Sequence, residues 1–214
     1  FDAELNGRCL GTFSVPLIGL HNVCNCLAAI AVANELKMKI EDIQRALKNF
    51  SGVQRRFELK GMVSGIRVID DYGHHPSEIS ATLSGAKEAM IQGTVGARGS
   101  VPGTRGRLIV LFQPHRYTRT RDLISDFTHA FTDADKVVLM DIYPAGEKPI
   151  SCIDSGALYR RIKDTGMDIE YIKDKTDILR YLAGELRDGD TLLTLGAGDV
   201  WKLGEEFLKI NNGK

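Results

Sequence analysis

The chain has 214 residues, 43% of them hydrophobic and 26% charged, and its 28 Lys plus Arg are balanced by 28 Asp plus Glu. That length suits one good core, or a domain carrying a piece of another, and a formal charge of zero gives no general attraction to nucleic acid or to an anionic membrane. No apolar run approaches the roughly 20 residues that span a bilayer, and the start, Phe1-Asp2-Ala3-Glu4-Leu5, lacks the basic and apolar regions of a signal peptide.

In chain order, the first twenty residues read as short strands, with 9–15 small and apolar before Pro16 and Gly19. Residues 21–36 predict an alanine-rich helix with Val23, Leu27, Ile30 and Leu36 on one side. Residues 40–50 predict a second, with Ile43, Ala46, Leu47 and Phe50 at helical spacing. Cys24 and Cys26, inside the first helix, read as buried free thiols. None of the four cysteines has CxxC or zinc spacing, which fits a reducing cytoplasm and predicts no metal site. These fifty residues read as the trailing edge of a domain whose body lies upstream, and the missing initiator Met agrees.

A different rhythm follows Ser51-Gly52. Strands are predicted at 57–60, 65–69, 107–112, 136–142, 168–172 and 191–195, and helices at 76–90, 120–131, 155–163, 176–187 and 199–210. The continuous apolar runs Leu108-Ile109-Val110-Leu111-Phe112 and Val137-Val138-Leu139-Met140 suit parallel strands covered on both faces. The alternation predicts an α/β, Rossmann-like, mostly parallel sheet flanked by helices from residue 52 to the end. The glycine-rich stretch 91–105 reads as a mobile surface loop.

In such sheets ligands sit beyond the carboxyl ends of the strands, so the polar residues that follow each strand carry the functional reading. After Val68-Ile69 comes Asp70-Asp71-Tyr72-Gly73-His74-His75-Pro76, leading into a helix. Aspartates there can accept from ribose hydroxyls, and a histidine near a helix start can meet phosphate or manage a proton. Alternatively one of the pair caps the helix. After Phe112 comes Gln113-Pro114-His115-Arg116-Tyr117-Thr118-Arg119-Thr120-Arg121-Asp122. Planar guanidinium groups before a helix N-terminus suit phosphate or carboxylate. The bland reading is a solvated basic loop, and single-stranded nucleic acid would need a wider basic face than this. Leu195-Gly196-Ala197-Gly198-Asp199 is a binding turn or simply a tight one. Upstream, His21, Asn22 and Asn25 share a helical face. An asparagine amide matches the donor–acceptor edge of adenine, and Asn22 reads equally well as a helix cap.

Together these segments resemble the Mur ligase family. The matching stretches are His21-Asn22-Val23-Cys24-Asn25, Gly52-Val53-Gln54-Arg55-Arg56-Phe57-Glu58, Asp70-Asp71-Tyr72-Gly73-His74-His75-Pro76, the run from Phe112 to Thr120, Ala145-Gly146-Glu147 with Pro149-Ile150, and Gly196-Ala197-Gly198-Asp199. They occur in the family's order, and Pro-His-Arg-Tyr-Thr-Arg-Thr favours its alanine-adding branch. The resemblance implies an ATP- and magnesium-dependent cytoplasmic ligase of peptidoglycan precursor synthesis. It would join UDP-N-acetylmuramate to L-alanine through an acyl phosphate, with no nucleic acid and no membrane span. Residues 1–51 would then end a P-loop-type central ATPase domain, and 52–214 would be the carboxyl-terminal domain.

Carried over by position, the resemblance implies that His21, Asn22, Asn25, Arg56 and Asp71 meet the nucleotide. His74, Arg116 and Arg119 would face the reacting groups, with Tyr72, His75 and His115 on the substrate side. The sequence also departs from the family. No G-x-x-x-x-G-K-[ST] loop occurs in the 214 residues, so the phosphate loop, most magnesium ligands and the UDP-sugar domain are expected upstream, in the missing part of the same enzyme, and the chain is expected to be silent alone. Gly73 stands where the family usually has alanine, a change expected to be tolerated. Another Mur-type ligase, or a stand-alone nucleotide- or nucleic-acid-binding α/β module, remain the alternatives.

Overall fold

The computed structural model describes residues 1–91 and 106–212, so the stretch read as a surface loop lies, but for Ile91, outside the described residues. The chain divides into two compact units, Phe1–Gln54 and Arg55–Lys214.

The first unit pairs β1 (Asp2–Leu5) with β2 (Arg8–Thr12) antiparallel. The short strands expected in the first twenty residues are thus 2–5 and 8–12. Asn6-Gly7 joins them: both residues have positive φ, 52° and 80°, as the two-residue turn that matches strand twist requires. Helices α1 (Leu20–Glu35) and α2 (Ile40–Lys48) follow. Ala3, Phe13, Ile30 and Ile43 make a small core. The apolar side expected for α1 is largely uncovered within the unit: Ile30 is buried, but Leu27 and Leu36 are exposed. The cysteine expectation needs correcting as well. Cys26 is buried and Cys24 exposed, because residues two apart on a helix lie about 200° apart around the axis and cannot share one face.

The second unit is built on a six-stranded sheet. Antiparallel β3 (Glu58–Val63) and β4 (Ile66–Asp71) are joined by Ser64-Gly65, both at positive φ. After α3 (Pro76–Ile91) come β5 (Leu108–Phe112), the short helices α4 (Tyr117–Asp122) and α5 (Ile124–Phe127), and β6 (Lys136–Leu139). Then α6 (Ser155–Lys163), β7 (Ile169–Tyr171), α7 (Lys175–Glu185), β8 (Thr191–Leu195) and α8 (Trp201–Asn211) complete the unit. The strand order is β3-β4-β8-β5-β6-β7, and every neighbouring pair except β3–β4 is parallel. The mostly parallel α/β sheet expected from the apolar runs is present, and every residue of β5 and β8 is buried. Full burial of each such Leu, Ile or Val contributes about 1.5–3 kcal/mol.

The helix expected at 120–131 is instead two pieces, and it begins three residues early. Hydroxyl side chains turn back onto carbonyls along this stretch, Thr120 Oγ1 donating to Arg116 O and Thr132 Oγ1 to His129 O. That competition weakens a continuous helix, while Phe127 and Phe131 are held against Phe112 in the core. One core layer uses α3, α5 and α6 (Ile79, Leu83, Phe127, Leu158, Ile162), and the other uses α7 and α8 (Ile178, Leu182, Leu203, Phe207). The chain thus leaves β4 and β5 toward one face and leaves β8, which lies between them, toward the other. Such a reversal opens a crevice at the carboxyl edge of the sheet.

Candidate functional site at the carboxyl edge of the sheet

Three corners meet at this edge. The first, after β4, is closed on itself. Asp70 is fully buried and accepts from Arg55 Nε at 2.8 Å and from Thr194 Oγ1 at 2.7 Å. Asp71, also buried, accepts from the backbone N–H of Phe57 at 2.8 Å and of Gly73 at 2.7 Å. Burial pushes its carboxyl up, and those two N–H groups pull against that rise. Both Asp71 oxygens are turned inward onto the corner's own backbone. A Cβ at Gly73 would lie 2.8 Å from Asp71 Oδ1, so a side chain there would make that oxygen shift.

His75 stands immediately before Pro76, the first residue of α3. Its Nδ1 accepts from Ser77 N at 3.3 Å, and Glu78 Oε2 accepts from His74 N at 3.0 Å and His75 N at 3.2 Å. This is a capping box with histidine as cap and proline at the first helical position. His75, expected on the substrate side, is the helix cap. His74 differs. Its Nδ1 lies 3.1 Å from the Tyr72 carbonyl, so Nδ1 carries the proton and Nε2 is left as acceptor. Burial lowers its pKa, and the positive charge of Arg119 adds to that.

The second corner, after β5, is open. Arg116 adopts φ 75° and ψ 138° at the start of α4, backbone space that non-glycine residues rarely enter. It is held there by its N–H to Tyr143 O at 2.9 Å. The Arg116 side chain is exposed and makes no hydrogen bond or ion pair among the described residues. Arg119 reaches back, its Nη1 donating to His115 Nδ1 at 3.1 Å and to His115 O at 3.0 Å. A guanidinium only donates, so His115 Nδ1 accepts and its proton sits on Nε2. The ring stacks on Tyr143 with centroids 5.6 Å apart and an interplanar angle of 10°. Burial, followed by the charge of Arg119, pushes the His115 pKa down to about 4. The rings of Tyr72, His74 and His115 follow one another at 5.4 and 5.7 Å, so the two corners are in contact.

The anion-favouring N-terminus read at this helix is already occupied. Glu147, from the loop after β6, accepts from Thr118 N at 3.0 Å and from Thr118 Oγ1 at 2.6 Å. Cationic side chains, not the helix end, are what this corner offers an anion.

The third corner, after β8, fits tightly against the second. A Cβ at Gly198 would lie 2.2 Å from Gln113 Oε1, and at Gly196, φ 142°, it would lie 2.6 Å from Gln113 O. Glycine is required for that approach. Gln113 Oε1 accepts from Asp199 N at 2.9 Å, and its Nε2 donates to Asp199 Oδ1 at 2.9 Å. Arg55 then joins this turn to the first corner, donating to Gly196 O at 2.6 Å as well as to Asp70, and lying over the Tyr72 ring at 5.0 Å.

Of the expected residues, the fold brings Tyr72, His74, His115, Arg116 and Arg119 together. Arg56 is exposed, close enough to Asp71 to oppose the rise that burial causes and to Glu78 to help lower its carboxyl. In the other unit, α1 begins after Gly19 with no side-chain cap. Asn22 Nδ2 donates back to Ile18 O at 2.7 Å, and Asn25 Nδ2 lies 3.5 Å from Asn22 Oδ1. Sequence reasoning missed Arg55, Gln113 and Glu78. The Arg55-Arg56 doublet and the Glu78 spacing from His75 were the available signals. Among the described residues no group of three or more His, Cys, Asp or Glu is placed to hold a metal ion, and no described helix is long and apolar enough to cross a membrane.

Residues 55–198 match the family described as Mur ligase, glutamate ligase domain. The chain is 47% identical over 210 residues to the UDP-N-acetylmuramate--L-alanine ligase of Geotalea daltonii, covering 98% of this chain and 43% of that protein. It is 49% identical over 211 residues to the protein of the same name from Geobacter sp. strain M21, covering 97% and 42%. It thus spans about two fifths of the length of these curated relatives. Among solved structures it resembles a UDP-N-acetylmuramate-alanine ligase from Thermotoga maritima, with a TM-score of 0.77 and 27% identity over 98% of this chain and 42% of that one.

Proposed function

The chain belongs to the Mur ligase family, and from that membership we propose that it is the carboxyl-terminal part of an ATP-dependent cytoplasmic ligase joining L-alanine to UDP-N-acetylmuramate in peptidoglycan precursor synthesis. In this reading 1–51 end a central ATPase domain and 52–214 are the carboxyl-terminal domain. The observation that carries the reading is the open corner after β5, where Arg116, with no hydrogen-bond or ion-pair partner among the described residues, stands beside Arg119 and a neutral His115. The relatives at 47% and 49% identity are named as alanine ligases, which supports alanine as the amine.

A muramate carboxylate oxygen attacks the γ-phosphorus of ATP, ADP leaves, and an acyl phosphate forms. The free amine of alanine then attacks the acyl carbon, the tetrahedral species expels phosphate, and the nitrogen loses a proton to leave the amide. Arg116 and Arg119 stabilise the anionic species. The two imidazoles have opposite tautomers, so their roles divide. His74 Nε2 can take a proton from the amine, and His115 Nε2–H can only donate a hydrogen bond. His21, Asn22 and Asn25 read adenine, and Arg56 contacts the nucleotide. The described residues supply no ligand set for magnesium, whose ligands this reading assigns upstream with the phosphate loop.

The test is ADP release and product mass with the complete ligase, over a panel of amino acids. ADP release that requires UDP-N-acetylmuramate and is supported best by L-alanine is expected. Preference for another amino acid or a peptide would move the chain to a different branch. The 214 residues alone should release no ADP, and robust ligation by them would overturn the division of labour.

A further inference from the structure

We infer that Glu147 is a positioning residue, which holds the first turn of α4 through Thr118 and thereby aims Arg116 and Arg119 at the amino-acid substrate. The inference rests on the ligase reading above. Helix α4 has six residues and no side-chain cap from its own start, so it is too short to hold its shape unaided. Its first turn is tied down from outside, by the segment 143–147. Tyr143 N donates to Pro114 O at 2.8 Å, and Arg116 N donates to Tyr143 O at 2.9 Å. The chain then turns through Ala145 and Gly146, both left-handed at φ 48° and 85°. That turn delivers the Glu147 carboxylate, one oxygen to Thr118 N and the other to Thr118 Oγ1. These bonds hold its carboxyl below the usual range. Glu147 touches neither arginine by hydrogen bond; it holds the backbone between them, and its charge also attracts Arg116 through space.

The experiment compares Glu147→Ala, Glu147→Gln, Thr118→Val and the Glu147→Ala/Thr118→Val double variant in the complete ligase. Expected is a rise of roughly tenfold in KM for alanine in Glu147→Ala and Thr118→Val, as loss of a charge-assisted hydrogen bond implies, with KM for ATP within about twofold. The double variant should be no worse than the poorer single one, and Glu147→Gln, which still accepts from Thr118 N, should recover most of the loss. Equal rises for both substrates, additive effects, or no recovery by glutamine would overturn it. An unaltered enzyme that turns over no alanine would sink the ligase reading instead. In that case the side-chain Nε–H resonances of Arg116 and Arg119, recorded on the 214-residue chain, still decide the positioning. They should shift or broaden in Glu147→Ala, and unchanged resonances would refute it.

Discussion

The corners after β4 and β5 flank the same central strand, yet they are built on opposite principles. After β4, two carboxylates are buried and every oxygen has a donor inside the corner, with Arg55 and Glu78 closing the circuit. After β5, a guanidinium stands exposed on strained backbone with no partner among the described residues, and the loop after β6 holds that backbone in place. The satisfied carboxylates have little left to give a ligand, which leaves His74 Nε2 as the open acceptor of the corner after β4. An unsatisfied corner can bind, provided its neighbour is rigid enough to support it. Abundance of polar residues did not separate the two, since both corners are crowded. Which groups already have partners did.

The largest expected effect tests the closed corner. Asp70→Ala leaves Arg55 and Thr194 without their shared acceptor and should cost about 3–5 kcal/mol in urea unfolding of the chain. A loss below about 1 kcal/mol would mean that this pair does not hold the corner. Next comes the open one. Arg116→Ala should lower kcat/KM of the complete ligase about a hundredfold while changing stability by no more than about 0.5 kcal/mol. A large stability loss would erase the contrast. A pH series sharpens it further. His115 has a folded pKa of about 4, below the unfolded value near 6.5, so the folded state binds fewer protons. Stability from this site is therefore complete above about pH 6.5 and is lost as pH falls toward 4. Urea midpoints measured across that range should fall, and His115→Gln should flatten part of the slope. The smallest effect belongs to Gly73→Ala, which should cost about 1 kcal/mol as Asp71 gives way by a few tenths of an ångström. No change in thermal midpoint would show that the inward turn of Asp71 needs no glycine.

Much of the scaffold was legible because its signals are local. The uninterrupted apolar run at 108–112 and the strand expected at 191–195 became fully buried strands, and the polar residues after them marked the functional edge. What the sequence leaves unread has nonlocal causes. That Asp71 turns inward depends on Phe57, fourteen residues earlier, and that the α4 N-terminus is filled depends on Glu147, twenty-nine residues later. Composition around either position is silent about such partners. The break between α4 and α5 was readable in part, since three hydroxyl residues (Thr120, Ser125, Thr128) fall in the stretch read as one helix. The exposed apolar residues of α1 show the limit of periodicity. It names the greasy side, Leu27 and Leu36 included, but not whether anything in the chain covers it.

The position of β8 bears on how the molecule is made. This strand, formed by residues 191–195, is inserted between β4 and β5, and its Thr194 bonds Asp70 across 124 residues of chain. While a polypeptide is being synthesised, β4 and β5 exist long before the strand that joins them, with two open edges facing each other. Such long-range closure is slow and leaves edges prone to wrong pairing. Arg55 and Gln113 therefore await Gly196 and Asp199, and their bonds across the corners can form only once residues 191–199 have been made.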